Sequence, residues 1–294
     1  IISCNRNDQK KQNEPPHLRP RMTKDEYLAR VKAVQQHIRQ GDVYELNLCQ
    51  EFYADGRELT SPISTFSALN AKAEAPFSAY VQRDGRYLLC SSPERFLAKR
   101  GQKLVSQPIK GTAGRDKSDS EDEQLKQALR ASTKEQAENV MIVDLVRNDL
   151  AVNAVTGSVE VPELFGIYSF KHVHQMISTV TAQLKEGQSF TRAIADAFPM
   201  GSMTGTPKVS AMELIEYYET TKRGLFSGSV GYISPEGDFD FNVVIRSILY
   251  NELRPYLSIQ VGGAITIDSE PEAEYRECLV KAQGMMDVLG GRVH

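Results

Sequence analysis

The chain has 294 residues, 40% of them hydrophobic and 25% charged, with a formal net charge of −3. That length can bury one large core or two ordinary ones, and the near-neutral charge leaves no basic footprint for nucleic acid or an anionic membrane surface. No apolar run approaches the ~18 residues needed to span a bilayer and no signal peptide is visible, so a cytoplasmic protein is expected.

Residues 1 to 22 are polar, carry Pro15, Pro16 and Pro20, and read as a linker or the remnant of an upstream subdomain. Residues 23–294 then form one expected domain. Apolar residues at helical spacing (Tyr27, Val31, Val34, Ile38) predict a helix that stops at Gly41. Strand patterns follow at Val43–Tyr53, Ser78–Val81, Tyr87–Ser91 and Lys103–Val105. Arg115 to Gln124 is rich in Ser, Asp and Glu and reads as a mobile loop.

A helix is expected from Ser132 to Asn148 and another from Glu272 to Leu289, with strands at Val159–Val161, Phe226–Ile233, Asp240–Tyr250 and Tyr256–Val261. Strands dominate and no βαβ rhythm appears. The fold class is α+β, with large, mainly antiparallel sheets forming a sandwich and helices packed outside. The four cysteines (Cys4, Cys49, Cys90, Cys278) are far apart and form no CxxC pair, which suits ordinary thiols in a reducing compartment.

Several residues carry chemistry. Lys110 stands at the end of an apparent strand, in a tight turn with Gly111, where a reactive amine can be mounted. Ser132-Thr-Lys-Glu135 is a capping-box pattern, so Glu135 reads as a cap or as a site carboxylate. Glu138 shares its helix face with Met141, Ile142 and Leu145, and a carboxylate there needs a cation. Glu274, Glu277 and Lys281 share one face of the last helix, as a surface salt bridge or as a carboxylate pair opposite Glu138. Oxygen ligands without His or Cys select Mg²⁺.

Gly201-Ser-Met-Thr-Gly-Thr-Pro-Lys208 opens a helical segment, with Thr206 as expected N-cap and Pro207 as first helical residue, and its free N–H groups suit an anion. It is not a Walker loop, because Thr206 and Pro207 separate Gly205 from Lys208. Gly262-Gly263 permits close backbone approach to a ligand or makes a plain turn. Arg246 is expected to project from a strand opposite its apolar set, placed to grip a carboxylate. His174 reads as a structural or a catalytic histidine.

These pieces together resemble the chorismate-utilising enzymes. The likeness lies in Ser92-Pro-Glu94-Arg95-Phe, Pro108-Ile-Lys110-Gly-Thr112, the Ala137-Glu138 to Asp149 helix, the Gly201–Lys208 loop, Gly224-Leu-Phe-Ser-Gly-Ser-Val-Gly-Tyr232, and Gly262-Gly with Glu274-Tyr-Arg-Glu277 and Lys281. It runs in order from about Thr23 to the C-terminus. The family includes anthranilate synthase component I, aminodeoxychorismate synthase component I, isochorismate synthase and salicylate synthase. Pro-Ile-Lys-Gly-Thr points to the aminodeoxychorismate synthase branch, which makes 4-amino-4-deoxychorismate on the route to p-aminobenzoate and folate.

The resemblance implies Lys110 as covalent nucleophile, Glu94 as general acid and His174 as a further catalytic candidate. It implies Mg²⁺ held by Glu138 and Glu277, with Glu135 and Glu274 nearby. Substrate contacts would come from Thr112, Thr204, Gly205 and Arg246, and from Gly262, Gly263 and Lys281. Glu45 would join them, standing where the amine-adding branch usually has Gln and the water-adding branches have Lys. Phe226 replaces a commoner Tyr. The implied partners are chorismate, ammonia and a separate glutamine amidotransferase subunit, since no Cys–His–Glu glutaminase arrangement appears. Anthranilate synthase component I and a non-catalytic chorismate-binding protein are the alternatives.

Overall fold

The computed structural model of the chain describes residues 17–293. Its first half contains β1 (His17–Pro20), α1 (Lys24–Gln40), β2 (Glu45–Asp55), α2 (Pro62–Ala73), β3 (Phe77–Arg83), β4 (Arg86–Ser92), β5 (Arg95–Arg100), β6 (Lys103–Gln107), β7 (Ile109–Gly114), α3 (Asp119–Ala131) and α4 (Thr133–Ala151). The second half adds β8 (Glu160–Ser169), β9 (Val173–Gln183), α5 (Phe190–Ala197), β10 (Gly205–Thr206), α6 (Lys208–Tyr218), β11 (Gly231–Ile233), β12 (Phe239–Asn242), β13 (Ser247–Asn251), β14 (Tyr256–Ile265), α7 (Pro271–Leu289) and β15 (Arg292–Val293).

Two sheets form. The first runs β15-β1-β2-β14-β13-β4-β3 with β10 on β2, and the second β11-β12-β5-β6-β9-β7 with β8 on β9. Apart from the parallel β1–β15 pair, the long pairings are antiparallel, including the ten-residue match of β2 to β14. The expected α+β class, with antiparallel sheets and outer helices, is the observed one.

β2 explains how one strand serves two environments. Side chains alternate across a strand, so Leu46, Leu48 and Phe52 enter a core with Tyr27, Val31 and Val34 of α1 and Ala282, Met285 and Met286 of α7. Glu45, Asn47, Cys49 and Glu51 lie on the opposite face. Each fully buried Leu or Phe contributes roughly 1.5–3 kcal/mol, so this helix-covered face fixes the register of β2. A second core joins Phe96, Leu104, Val180 and Phe239 of the other sheet to Ile142, Val143, Val146 and Leu150 of α4, and Cys49 reaches it from β2.

α1 stands where its periodicity placed it. Thr23 and Glu26 close a capping box, and Gly41 ends the helix at φ 85°, a conformation open to glycine. Other expectations need correction. Residues 17–22 are not linker: β1 pairs with β2 and β15, and Leu18 and Met22 are buried. Residues 1–16, with the rest of that expected linker and Cys4, lie outside the described residues.

The Arg115–Gln124 stretch is not a loop throughout, because α3 begins inside it. Asp119, Glu121 and Asp122 occupy the first helical turn, where the helix dipole favours anions. Arg115 Nε clamps both Asp122 oxygens, at 2.8 and 2.9 Å. The strand expected over Asp240–Tyr250 breaks at Arg246, which adopts φ 51° between β12 and β13. The one expected over Phe226–Ile233 shrinks to β11. Thr206 is not an N-cap: it pairs with Glu45 across β10 and β2, so Pro207 takes the cap and Lys208 starts α6.

Candidate active site between β7, α4 and α7

Lys110 is the second residue of β7 rather than standing at the end of a strand. The pairing of β7 with β9 shifts between Ile109 and Thr112, and Gly111 at φ 87° carries that irregularity. A Cβ added to Gly111 would come within 3.0 Å of Glu135 Oε2 and 3.1 Å of Leu129, so a side chain there would crowd the Glu135 carboxylate and the Leu129 side chain of α3. The irregularity therefore aims Lys110 at two carboxylates: its Nζ is 3.9 Å from Glu45 Oε2 and 3.9 Å from Glu138 Oε2. Both separations are ion pairs too long to be hydrogen bonds.

Glu45 is 1% exposed and its Oε2 has no hydrogen-bond partner. Burial pushes its carboxyl above the ordinary range, Lys110 opposes that and Glu138 adds to it. On α4, the Ser132 hydroxyl caps the Glu135 N–H at 3.3 Å. Only half of the capping box forms, since Glu135 does not return its carboxylate to Ser132. That carboxylate is raised by burial and then by Glu138, and it also feels Lys134, Lys110 and Glu277.

α7 supplies the facing wall. Glu274 is buried, accepts a hydrogen bond from Ser269 Oγ at 2.8 Å, and is raised chiefly by burial, with Glu277 adding to it. Partial desolvation acts on Glu277, whose side chain is 51% exposed, but the Lys281 ammonium at 2.5 Å, with Lys110 and Lys134 beyond, outweighs it and holds that carboxyl below its ordinary value. Lys281 also donates to the Gly262 carbonyl at 2.7 Å. Glu277 and Lys281 thus form the i,i+4 salt bridge that their spacing allowed, with the Glu277 side chain half exposed, while Glu274 beside them is buried.

The donor set suits a hard divalent cation. Glu135 and Glu274 sit above their usual range partly because carboxylates crowd them, and a dication would relieve that. Among the described residues no three His, Cys, Asp or Glu side chains enclose a metal by themselves. Mg²⁺ commonly uses one or two carboxylates and completes its shell with water and substrate, so one or two of these glutamates would be enough to hold it.

Glu94 lies deeper. It is 7% exposed, and burial pushes its carboxyl up to about 7, against the Ser202 hydrogen bond and the charges of Lys110 and Lys281. Sequence reasoning missed Ser202. Asn47 of β2 holds that loop by donating to the Ser202 carbonyl at 3.1 Å through its side chain and to the Thr204 carbonyl at 2.7 Å through its backbone. A polar residue on the sheet face shared with Glu45 was the available signal.

The remaining candidates divide. A Cβ on Gly205 would stand 2.2 Å from the Glu45 carbonyl, and one on Gly262 would stand 2.4 Å from the Leu48 carbonyl, so both glycines are required by packing within the sheet. Gly263 faces Glu274 and Glu277, at 3.0 and 3.5 Å from its Cβ position. Arg246 reaches the Lys281 carbonyl at 3.2 Å, and burial lowers the pKa of its guanidinium while Glu277 opposes that. Its strand break, rather than the expected strand, sets its direction. The Thr204 hydroxyl already donates to the Met200 and Gly201 carbonyls and is 3% exposed, whereas Thr112 is exposed on β7.

His174 is 1% exposed, with Nδ1 2.9 Å from Ser169 Oγ and Nε2 3.0 Å from Asp122 Oδ1. Both ring nitrogens are thus engaged in tying β9 to β8 and α3. Phe226 is buried beside a cleft of about 440 Å³ between α6 and residues 219–228. Cys49, Cys90 and Cys278 are buried free thiols.

Comparison with known proteins gives this site its context. The profile described as chorismate binding enzyme matches residues 3–287. Aminodeoxychorismate synthase component 1 of Escherichia coli K12 is 40% identical over 270 residues, which is 91% of this chain and 58% of that protein. Aminodeoxychorismate synthase of Streptomyces griseus is 42% identical over 270 residues, 92% of this chain and 37% of that protein. The chain thus spans less than two thirds of the relatives it matches. Among solved structures, anthranilate synthase component I from Streptococcus pneumoniae superposes with a TM-score of 0.84 at 28% identity, covering 93% of this chain and 60% of that one. The chain belongs to the chorismate binding enzyme family.

Proposed function

We propose that the chain converts chorismate and ammonia to 4-amino-4-deoxychorismate, as an aminodeoxychorismate synthase component I acting toward p-aminobenzoate and folate. The observation that carries the reading is Lys110, a half-buried amine set between Glu45 and Glu138 on an irregular strand. The names of the relatives at about 40% identity point the same way.

In this reading Lys110 attacks C2 of the ring while Glu94, still protonated in about half of the molecules near pH 7, protonates the departing C4 hydroxyl. Ammonia then adds at C4 and Lys110 leaves. Arg246, Lys281 and the Gly262-Gly263 backbone would hold the substrate carboxylates. Glu138 and Glu277, with Glu135 and Glu274 behind them, would hold Mg²⁺, which supplies positive charge against the substrate carboxylate. Thr204 and Gly205 would shape the loop over the ring and Thr112 its open edge, with Glu45 beside the amine. His174 would act by holding α3 in place. A glutamine amidotransferase subunit would deliver the ammonia, and the three buried thiols suit a reducing cytoplasm.

The test is incubation with chorismate, Mg²⁺ and an ammonium salt, followed by product identification. 4-Amino-4-deoxychorismate is expected, and Lys110→Ala should lower turnover by about a thousandfold or more. A chorismate-derived adduct on Lys110 should appear by intact-protein mass spectrometry when ammonia is withheld. Direct release of anthranilate would replace this reading with anthranilate synthase component I. Chorismate binding without turnover at any ammonia concentration would indicate a binding protein.

A further inference from the structure

Behind Glu94 lies a second buried acid that the chemistry above leaves unused. Asp149, near the C-terminal end of α4, is 8% exposed and accepts a hydrogen bond at 2.6 Å from the ammonium of Lys208, the first residue of α6. As an ion pair it ties the two helices together. A tie, however, does not require what lies on its inner side. Asp149, Glu94 and Ser202 line one cavity of about 20 Å³, closed by Pro108, Val146 and Gly201. Roughly 10–15 Å³ suffices for one water molecule, provided polar partners surround it, and these three side chains provide them.

We propose that Asp149, with Lys208 beside it, relays protons through this cavity to Glu94, an inference that rests on the general-acid reading of Glu94. Glu94 gives its proton to the departing hydroxyl, which leaves as water. A cavity water then passes a proton to the Glu94 carboxylate and takes one from the Asp149 carboxyl. Asp149 regains its proton from solvent on the Lys208 side, where Lys208 retains partial exposure. One proton enters by this route while the Lys110 nitrogen, bonded to the ring, releases one, so the step balances.

The electrostatics are compatible. Burial raises Asp149 to about 6 against the pull of Lys208, close to the value of about 7 for Glu94, so transfer between them is nearly level. The other charges facing the pair are few. Lys110 and Lys281 act on Glu94, and Arg95 of β5 is neutralised by Asp240 at 2.9 Å.

The experiment follows kcat with ammonia against pH and against the concentration of a small buffer acid. Asp149→Asn should lower kcat about tenfold with KM for chorismate unchanged, and rising buffer should restore it by reloading Glu94 from the open side of the site. The solvent deuterium isotope effect should rise as well. Since Asp149→Asn leaves Lys208 unpaired, Val146→Leu, which fills the cavity and keeps the ion pair, should give the same buffer dependence. Folded variants with the wild-type pH profile, isotope effect and buffer independence would overturn the relay. Glu94→Gln is measured beside them. If it keeps full turnover, the general-acid reading itself fails; if it is inactive while Asp149→Asn and Val146→Leu behave as wild type, only the relay fails.

Discussion

Two buried glutamates stand six positions apart on the same face of β2 and have opposite surroundings. Glu51, 2% exposed, accepts hydrogen bonds from Tyr256 Oη at 2.7 Å and Ser258 Oγ at 2.6 Å on one oxygen, and from Arg21 Nε at 3.1 Å on the other. Arg21 in turn lies over the Tyr53 ring at 3.6 Å. Glu45, 1% exposed, has an oxygen without a hydrogen bond and an ammonium 3.9 Å away. A satisfied buried carboxylate holds a structure together. An unsatisfied one destabilises it, and natural proteins keep such groups chiefly where something else uses them. The contrast separates a satisfied, scaffold-like end of β2 from the end that borders the candidate site.

The largest test of that contrast is Glu51→Ala. It leaves Ser258 without its acceptor and Arg21, bonded to Tyr256 at 2.6 Å, without its counter-charge, and breaking one partner of a buried charged network costs about 3–5 kcal/mol. Urea unfolding should show that loss with an unchanged m-value. A loss below about 1 kcal/mol would mean that water replaces Glu51 freely and that its burial carries no structural weight.

Glu94 extends the comparison to a buried acid with one side-chain hydrogen bond. Its folded carboxyl titrates near 7, above the ordinary glutamate range, with burial as the main cause. For a carboxyl raised in the folded state, stability is fully present below the unfolded pKa and is lost as pH rises toward the folded one. Glu94→Gln removes that loss. Relative to wild type it should therefore gain on the order of 3 kcal/mol between about pH 4 and pH 8, read from urea midpoints. A flat difference across that range would show that Glu94 is ionised without strain at neutral pH, which would also remove its qualification as an acid.

Much of the frame could be read from periodicity, because α1, α7 and β14 each bury one regular apolar face. α3 could not, since Leu129 is its buried residue and its turns are held by charge, through Arg115, Asp122 and His174. The break at Arg246 was equally hidden, because a left-handed backbone at a non-glycine residue is imposed by tertiary packing and leaves no local mark. In the candidate site, residue chemistry raised Lys110, Glu138 and Glu277 beside plainer readings, and the family resemblance gave them roles. Ser202 and Asp149 were visible only as members of motifs, since what joins them to Glu94 is a cavity between elements distant in sequence, and Lys208 joins through Asp149.

Glu45→Gln has the smallest expected effect and the most instructive sign. Removing a buried carboxylate normally destabilises, as at Glu51. Here the group removed has no hydrogen bond on one oxygen, and burial holds its carboxyl above its ordinary value despite Lys110. A neutral side chain of the same shape avoids that desolvation, while Lys110 keeps Glu138 as its ion-pair partner. The variant should therefore be more stable than wild type by about 1 kcal/mol near pH 8. The sign of the pH dependence follows from the raised carboxyl: the gain should shrink as pH falls and vanish below the unfolded glutamate pKa of ~4.3, where wild type is neutral too. Stability loss at pH 8 instead would mean that the attraction between Glu45 and Lys110 outweighs burial, and that the two ends of β2 are both scaffold.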